Sequence, residues 1–336
     1  MSFTSLYIQN ESLFIPSIGR MVKQAVVMLP GAGCAWAKKS GGCHMCGFSG
    51  ATRKYSRGIH LPLALFKLLI SRAKNLLSTS DVVAVYNGGS FFNPDELSEA
   101  LPEWLCGNIA KLADVKELFV ESRPEYIQEE QIRSLVSILG GKTLKVGIGL
   151  ECSTDTIRQH CVHKGFSKAQ YKRAVDILKV NGASVLTYVL LKPPFLTEKE
   201  SIDEAVATIE YAFASGSTEV ALESAFVQPN TFVSKLYEAG EFQPPWLWSI
   251  IEVLQKVAGF HRTRLGGFLD EPIPIAVPHN CSNCNSHVLY SLQSYRETLS
   301  VDNFASLDCE CKGDWEREIK VSNLLSIPER LAKSVA

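Results

Sequence analysis

The chain has 336 residues, of which 46% are hydrophobic and 21% charged, and a formal net charge of −1. That length is too great for one small domain and suits a large α/β domain with an appendage, in an ordinary globular balance of residues. No apolar run is long enough to span a membrane and no leader pattern opens the chain, which predicts a cytoplasmic protein with no membrane partner; the neutral charge excludes a generally basic surface for a polyanion, though not a local patch.

Ten cysteines in such a compartment point to metals or reactive thiols rather than disulfides. Residues 1–23 read as an irregular lead-in, and residues 25–30, AVVMLP, as a short buried strand. A glycine-rich loop over 31–50 then carries Cys34, Cys43 and Cys46 in a C-x8-C-x2-C spacing. Three thiolates can hold three irons of a cubane cluster and leave the fourth without a protein ligand. An open iron can chelate the amino and carboxylate groups of S-adenosylmethionine and reduce it to a 5′-deoxyadenosyl radical. The same residues also fit a zinc knuckle completed by His44, although the second two-cysteine arm usual for zinc is not nearby. Cys106, Cys152 and Cys161 are scattered and read as core thiols.

Beyond the loop the pattern alternates. Apolar residues at helical spacing fill 61–77, with Pro62 in the first turn. A buried strand over 81–86 ends on Asn87-Gly88-Gly89-Ser90. A helix over 97–112 leads to a strand at 117–120, which stops at Glu121-Ser122-Arg123-Pro124. A helix over 129–139 precedes a strand over 144–150, which ends at Glu151; the helix over 168–181 is closed by Gly182. The strand over 184–191 runs into Lys192-Pro193-Pro194, and a helix over 198–215 precedes a strand over 218–223 with Gln228-Pro229-Asn230-Thr231 beyond it. Strand–helix alternation is the mark of a parallel barrel-like sheet. Six units, short of the eight of a full barrel, predict an α/β fold with a partial (β/α)6 TIM-like barrel over 24–265. Every polar motif falls just after a strand, at the rim where such folds carry active sites.

Toward the C-terminus Cys281 and Cys284 form a C-x2-C arm and Cys309 and Cys311 a C-x-C arm, separated by residues 285–308. Two close arms of two thiolates match a tetrahedral zinc site stapling a small cysteine-rich domain over 266–336. An auxiliary iron–sulfur cluster fits the same spacing. The gap holds one helix and a turn, and Trp246 and Trp248 ahead of it read as core aromatics rather than base-stacking ones.

In strand order, these motifs resemble those of the radical S-adenosylmethionine enzymes over about residues 24–235. Most members space their cysteines C-x3-C-x2-C; the wider gap here resembles the elongator-catalytic-subunit-like branch. Glu121-Ser122-Arg123-Pro124 is similar to that branch's Glu-Thr-Arg-Pro element. Gly88-Gly89-Ser90 stands where the superfamily has Gly-Gly-Glu, whose backbone holds the methionine amino group, with Ser90 in place of the acid. More closely, the chain resembles the archaeosine-forming radical enzymes, through YNGGSFFNP (86–94), VESRPEYI (120–127), GLECSTDTIR (149–158), YVLLKPPFLTE (188–198) and the cysteine-rich tail.

The resemblance implies a 4Fe-4S cluster on Cys34, Cys43 and Cys46, and contacts to S-adenosylmethionine from Gly88, Gly89, Ser90, Glu121, Arg123, Glu151 and Lys192. It further implies a C–N lyase-type reaction on tRNA, cutting the Cε–N bond of a lysine carried by a 7-deazaguanine nucleoside to leave an amidine. A partner that attaches the lysine and a reductant such as flavodoxin or ferredoxin follow from it. Alone, each residue has a plainer role: a tight turn at Gly88-Gly89, a rim salt bridge at Glu121 or Arg123, a hydrogen-bonded carboxylate at Glu151, a snorkelling Lys192. Gln228, Asn230 and Thr231 are weaker candidates of the same kind, and His160, His163 and Lys164 read as a basic surface spot. Two rival functions stand beside this one. The first is the same chemistry on a free base, a nucleotide or DNA; the second is a non-catalytic interaction module whose loop cysteines bind zinc.

Overall fold

The computed structural model describes residues 7–48, 59–260, 262–268, 272–321 and 323–334, so the last residues of the glycine-rich loop lie outside the described residues. Eight strands form one curled sheet in chain order. They are β1 (Tyr7–Ile15), β2 (Arg20–Met28), β3 (Val82–Tyr86), β4 (Glu117–Glu121), β5 (Thr143–Glu151), β6 (Ser184–Leu191), β7 (Glu219–Ser224) and β8 (Thr263–Leu265). β1 pairs antiparallel with β2, and every later pair is parallel. The result is the half-barrel that the alternation predicts.

The strands are apolar on both faces because both are covered, as parallel sheets require. Val83 and Val85 pack outward against the helices, while Val82 and Ala84 join Val26, Phe119, Leu186 and Ala221 in the lumen. Ser167, Thr197 and Thr231 open their helices with capping boxes, so local chemistry sets where those helices start. At the base of the barrel Lys145 is buried between Glu117 (3.0 Å) and Glu219 (2.9 Å), and Arg264 also reaches Glu219 (3.3 Å).

The lead-in differs from expectation. Residues expected to be irregular form β1, whose last residue Ile15 pairs with Arg20 across a turn containing Gly19 at φ 76°. Its alternation is diluted by Gln9, Asn10, Glu11 and Ser12, and the strand exists because β2 supplies its hydrogen-bond partners. β8 is too short to leave a periodic pattern. The helices Phe232–Glu238 and Leu247–Lys256 were likewise not expected from the sequence.

The segment 285–308 holds the helix Asn285–Thr298 and a short turn of helix, Val301–Phe304, as its length predicts. Cys284, Val288, Leu292, Cys311 and Trp315 share one apolar cluster with Val189, Leu191, Ile202 and Ile209 of the barrel, so the core runs across residue 265. No helix among the described residues is long and apolar enough to cross a membrane.

Candidate functional site

Cys34 directly precedes the helix Ala35–Ser40, and Cys43 and Cys46 share a turn closed by the Cys46 N–H donating to the Cys43 carbonyl (3.0 Å). The loop lies on the segment that follows β5. The His44 N–H donates to the Val162 carbonyl (3.0 Å), its Nδ1 bonds the Cys161 carbonyl (2.8 Å), and its ring stacks on Phe232 with centroids 4.3 Å apart. Trp36 Nε1 donates to the His163 carbonyl (2.8 Å). Gly165, at φ 75°, leaves the room this needs, since a Cβ there would fall 2.2 Å from the indole.

Among the described residues, the metal-ligating side chains whose donor atoms all lie within 4.8 Å of one another are Cys281, Cys284, Cys309 and Cys311. The three loop sulfurs are spread more widely than that. A tetrahedral zinc with Zn–S near 2.3 Å sets sulfurs ~3.8 Å apart. Burial raises the Cys43 thiol and pushes Cys46 up to about 12, the neighbouring Cys43 adding to it.

A residue that sequence reading missed holds the rim together. Glu96 is fully buried, and its carboxylate accepts the Ser90 N–H (2.6 Å), the Ala35 N–H (2.9 Å) and Asn93 Nδ2 (2.9 Å). It thereby ties the turn after β3 to the helix after Cys34. Burial pushes its pKa up, offset in part by the Ala35 and Ser90 N–H groups. Gly89 is required, but for the protein's own sake: a Cβ there would fall 1.8 Å from Glu96 Oε2 and 3.3 Å from Cys34 Cα. Gly88 takes a positive φ of 63°. The Ser90 hydroxyl accepts the Arg123 N–H (3.2 Å), and Asn87 Oδ1 is buried without a partner among the described residues.

The Arg123 guanidinium lies near the rings of Trp36 (5.1 Å) and Phe166 (5.3 Å) and pairs with Glu125 (2.6 Å), leaving Nη2 buried without a partner among the described residues. Glu121 accepts the Tyr188 hydroxyl (2.5 Å) inside the lumen. Burial, then the charge of Glu121, raises both Tyr188 and Tyr86 well above the usual phenol range. Gly147 on β5 makes space for this group, since a Cβ would fall 2.9 Å from Phe119, 3.1 Å from Tyr188 and 3.2 Å from Glu121.

Glu151 ends β5 and Lys192 directly follows β6, at φ 65° and 67°. A non-glycine residue held there costs about 1–3 kcal/mol, and such strain clusters at functional sites. Glu151 pairs with Lys164 (2.7 Å), and Gly149 leaves them room. Burial alone would lower Lys164, but Glu151 and Cys43 outweigh it and raise the ammonium above its ordinary range. The basic surface spot is therefore corrected. His160 is exposed, whereas His163 stacks 5.2 Å from His44 and Lys164 is drawn in beside Cys43. Positive φ at His163 (58°) and Gly165 (75°) folds this segment back over the loop. Arg158, fully buried, stitches the same segment by donating to the carbonyls of Cys152 (2.9 Å) and Phe166 (3.1 Å).

Lys192 follows the carboxyl end of β6. It pairs with buried Glu198, which also accepts the Ser249 hydroxyl (2.6 Å) and the Trp246 N–H (3.0 Å). Trp315 Nε1 donates in turn to Ser249 Oγ (2.8 Å), so Lys192 links the rim to the C-terminal tail.

In the tail the sulfur separations are 3.7 Å for Cys281–Cys284, 3.5 Å for Cys281–Cys309 and 3.6 Å for Cys284–Cys311. These are close to the ~3.8 Å edge of a tetrahedral zinc thiolate site, and tighter than a cubane would hold its ligands. Trp248 Nε1 donates to Cys311 Sγ (3.4 Å), a contact of the kind that orients a metal ligand. Trp248 is buried, as its core reading predicts.

No protein-family model matches the chain. Archaeosine synthase subunit beta of Methanosarcina acetivorans is 30% identical over 308 residues, 91% of this chain and 87% of that protein. Archaeosine synthase subunit beta of Thermococcus kodakarensis is 29% identical over 297 residues, 86% of this chain and 90% of that protein. Among solved structures, the archaeal Methanocaldococcus infernus Elp3 is similar at 17% identity and a TM-score of 0.48, over 70% of this chain and 59% of that one, a likeness too weak to build on.

Proposed function

The chain belongs to the archaeosine synthase subunit beta family, and on that footing we propose that it is a radical S-adenosylmethionine enzyme acting on a 7-deazaguanine nucleoside in tRNA, where it cleaves the Cε–N bond of an attached lysine to leave an amidine. The observation that carries this reading is a convergence at one end of the barrel. The loop cysteines, the Gly88-Gly89 turn, Glu121, Arg123 and the Glu151–Lys164 pair all follow the carboxyl ends of β2 to β5. In open α/β sheets, that is where ligands bind.

The residues fit the cofactors. Three half-buried cysteines on one loop, none in a disulfide, suit a 4Fe-4S cluster on Cys34, Cys43 and Cys46. The acceptor Asn87 Oδ1 and donor Arg123 Nη2, buried and unpartnered among the described residues, suit the ammonium and carboxylate of an amino acid. When bound, the cluster supplies the electron for reductive cleavage of S-adenosylmethionine. Glu96 holds the Cys34 helix and the Gly88-Gly89-Ser90 turn in one register. Arg123 offers its planar fork to a carboxylate, and Trp36 and Phe166 keep that fork from swinging. The lumen's apolar lining excludes water from the reacting atoms. In this reading Lys192 acts through Glu198 rather than on the cofactor, and the four C-terminal cysteines hold a structural zinc. A lysine-transferring partner and a reductant such as flavodoxin or ferredoxin complete the scheme.

Anaerobic reconstitution with iron and sulfide tests the class. About four irons per chain, lost when Cys34, Cys43 and Cys46 are all changed to Ala, with 5′-deoxyadenosine released on reduction, is the expected outcome. Zinc alone at the loop, with no cleavage of S-adenosylmethionine, would return the chain to the interaction-module reading. Turnover of lysine-modified tRNA but not of the free modified nucleoside is expected for the substrate; the reverse preference overturns tRNA as the target.

A further inference from the structure

Gln228 is a buried amide whose two ends are unequally used. It is 1% exposed, its Oε1 accepts the Gly47 N–H at 2.7 Å, and its Nε2 is buried with no partner among the described residues. The assignment of the two ends is fixed by chemistry, because only the oxygen can accept from Gly47. Gly47 follows Cys46, so the side chain grips the cluster loop one residue beyond a candidate thiolate. It also fills the space beside Gly47, where a Cβ would fall 3.0 Å from Gln228 Oε1.

The backbone of Gln228 is held from both sides. Val227, just before it, makes a bridge with Ala276, donating to the Ala276 carbonyl at 2.8 Å and accepting from the Ile275 N–H at 2.7 Å. The Gln228 carbonyl accepts the Thr231 hydroxyl (2.8 Å), and Thr231 caps the next helix. A residue so locked, with an orphaned donor inside the protein, incurs a desolvation cost that a bound acceptor would relieve.

We propose that Gln228 is a hydrogen-bond donor to the iron–sulfur cluster, its Oε1 clamping the loop at Gly47 while its Nε2–H is left to meet a sulfide of the bound cluster. This rests on the cluster reading given above. A neutral N–H stabilises the more negative, reduced cluster more than the oxidised one, so it raises the reduction potential. The role is separate from ligation, which belongs to Cys34, Cys43 and Cys46.

The test is the midpoint potential of the reconstituted full-length protein, followed by the paramagnetic signal of the reduced cluster, with iron content measured alongside. Gln228→Glu keeps an oxygen for Gly47 and removes the N–H; Gln228→Met is neutral and removes both. Both variants are expected to retain wild-type iron content, and both midpoints to move negative. A tenfold fall in the ratio of reduced to oxidised cluster at fixed potential corresponds to about 59 mV for one electron. Unchanged midpoints in both variants overturn the proposal, as does loss of the cluster from both, which would confine Gln228 to holding the loop. A wild-type protein that assembles no cluster fails the underlying reading instead, so the two failures are distinguishable.

Discussion

At Gly165 two constraints meet in one residue, a backbone at φ 75° and a Trp36 indole 2.2 Å from where a Cβ would stand. Gly165→Ala must therefore strain the turn and push Trp36 away from the His163 carbonyl, which it now bonds at 2.8 Å. A loss of about 1–3 kcal/mol in stability is expected, together with reduced iron uptake by the loop, measured by thermal unfolding and iron content. Wild-type values for both would show that the loop does not depend on this contact.

Also at the residue scale, Arg330 grips Glu200 with two hydrogen bonds, 2.6 Å and 2.7 Å, and anchors the last helix, Ile327–Lys333. Burial alone would raise Glu200, but Arg330 outweighs it and holds the carboxyl below its ordinary range. A carboxylate lowered in the folded state gives stability that is fully present above its unfolded pKa and lost as pH falls through the folded one. The helix is thus expected to stay docked at neutral pH and to loosen below about pH 4. Amide hydrogen exchange over residues 323–334, corrected for the intrinsic rate, reads this out. Arg330→Met should loosen the helix at neutral pH, and equal protection at both pH values in the native chain would refute the coupling.

Among the elements, the helix Cys311–Glu318 links the tail to the rim of the barrel. Its first residue is a candidate metal ligand touched by Trp248, and its Trp315 continues through Ser249 and Glu198 to Lys192 at the rim. Stripping the tail's metal with a chelator, or Cys311→Ser, is expected to release about one zinc per chain and lower the unfolding temperature. Trp248 and Trp315, both buried, should shift their fluorescence to the red as they meet water. A metal-free chain with unchanged fluorescence and stability would remove the metal from the structural account.

At the scale of the whole molecule the two ends of the barrel have different work. The base is closed by charge, with Lys145 between Glu117 and Glu219, and by the β1–β2 turn, where the Ser17 N–H reaches Glu219 at 3.3 Å. The breaking of that buried network by removal of one partner is strongly unfavourable, which keeps this end shut. The opposite end gathers the candidate site residues on turns after the strands, where backbone strain and glycine gaps shape the lumen.

The strand–helix alternation, the two cysteine groups and the rim motifs were legible in the sequence by itself, because periodic burial and short covalent spacings are local properties of the chain. Several boundaries, such as Glu129–Leu139 and Glu198–Ser215, fell where the pattern put them. The sequence left β1 unread, since its polar residues need β2 to make them a strand. It also left Glu96 without a role, read Lys164 as surface, ranked Gln228 only as a weaker candidate, and gave no sign that Lys192 would pair with Glu198. Only the tertiary structure decided these. Ala35 meets Glu96 across 61 residues, Glu121 meets Tyr188 across 67, and Gly47 meets Gln228 across 181. A buried carboxylate or amide has no periodicity to announce it; what it does is set by which donor the closed sheet brings to it.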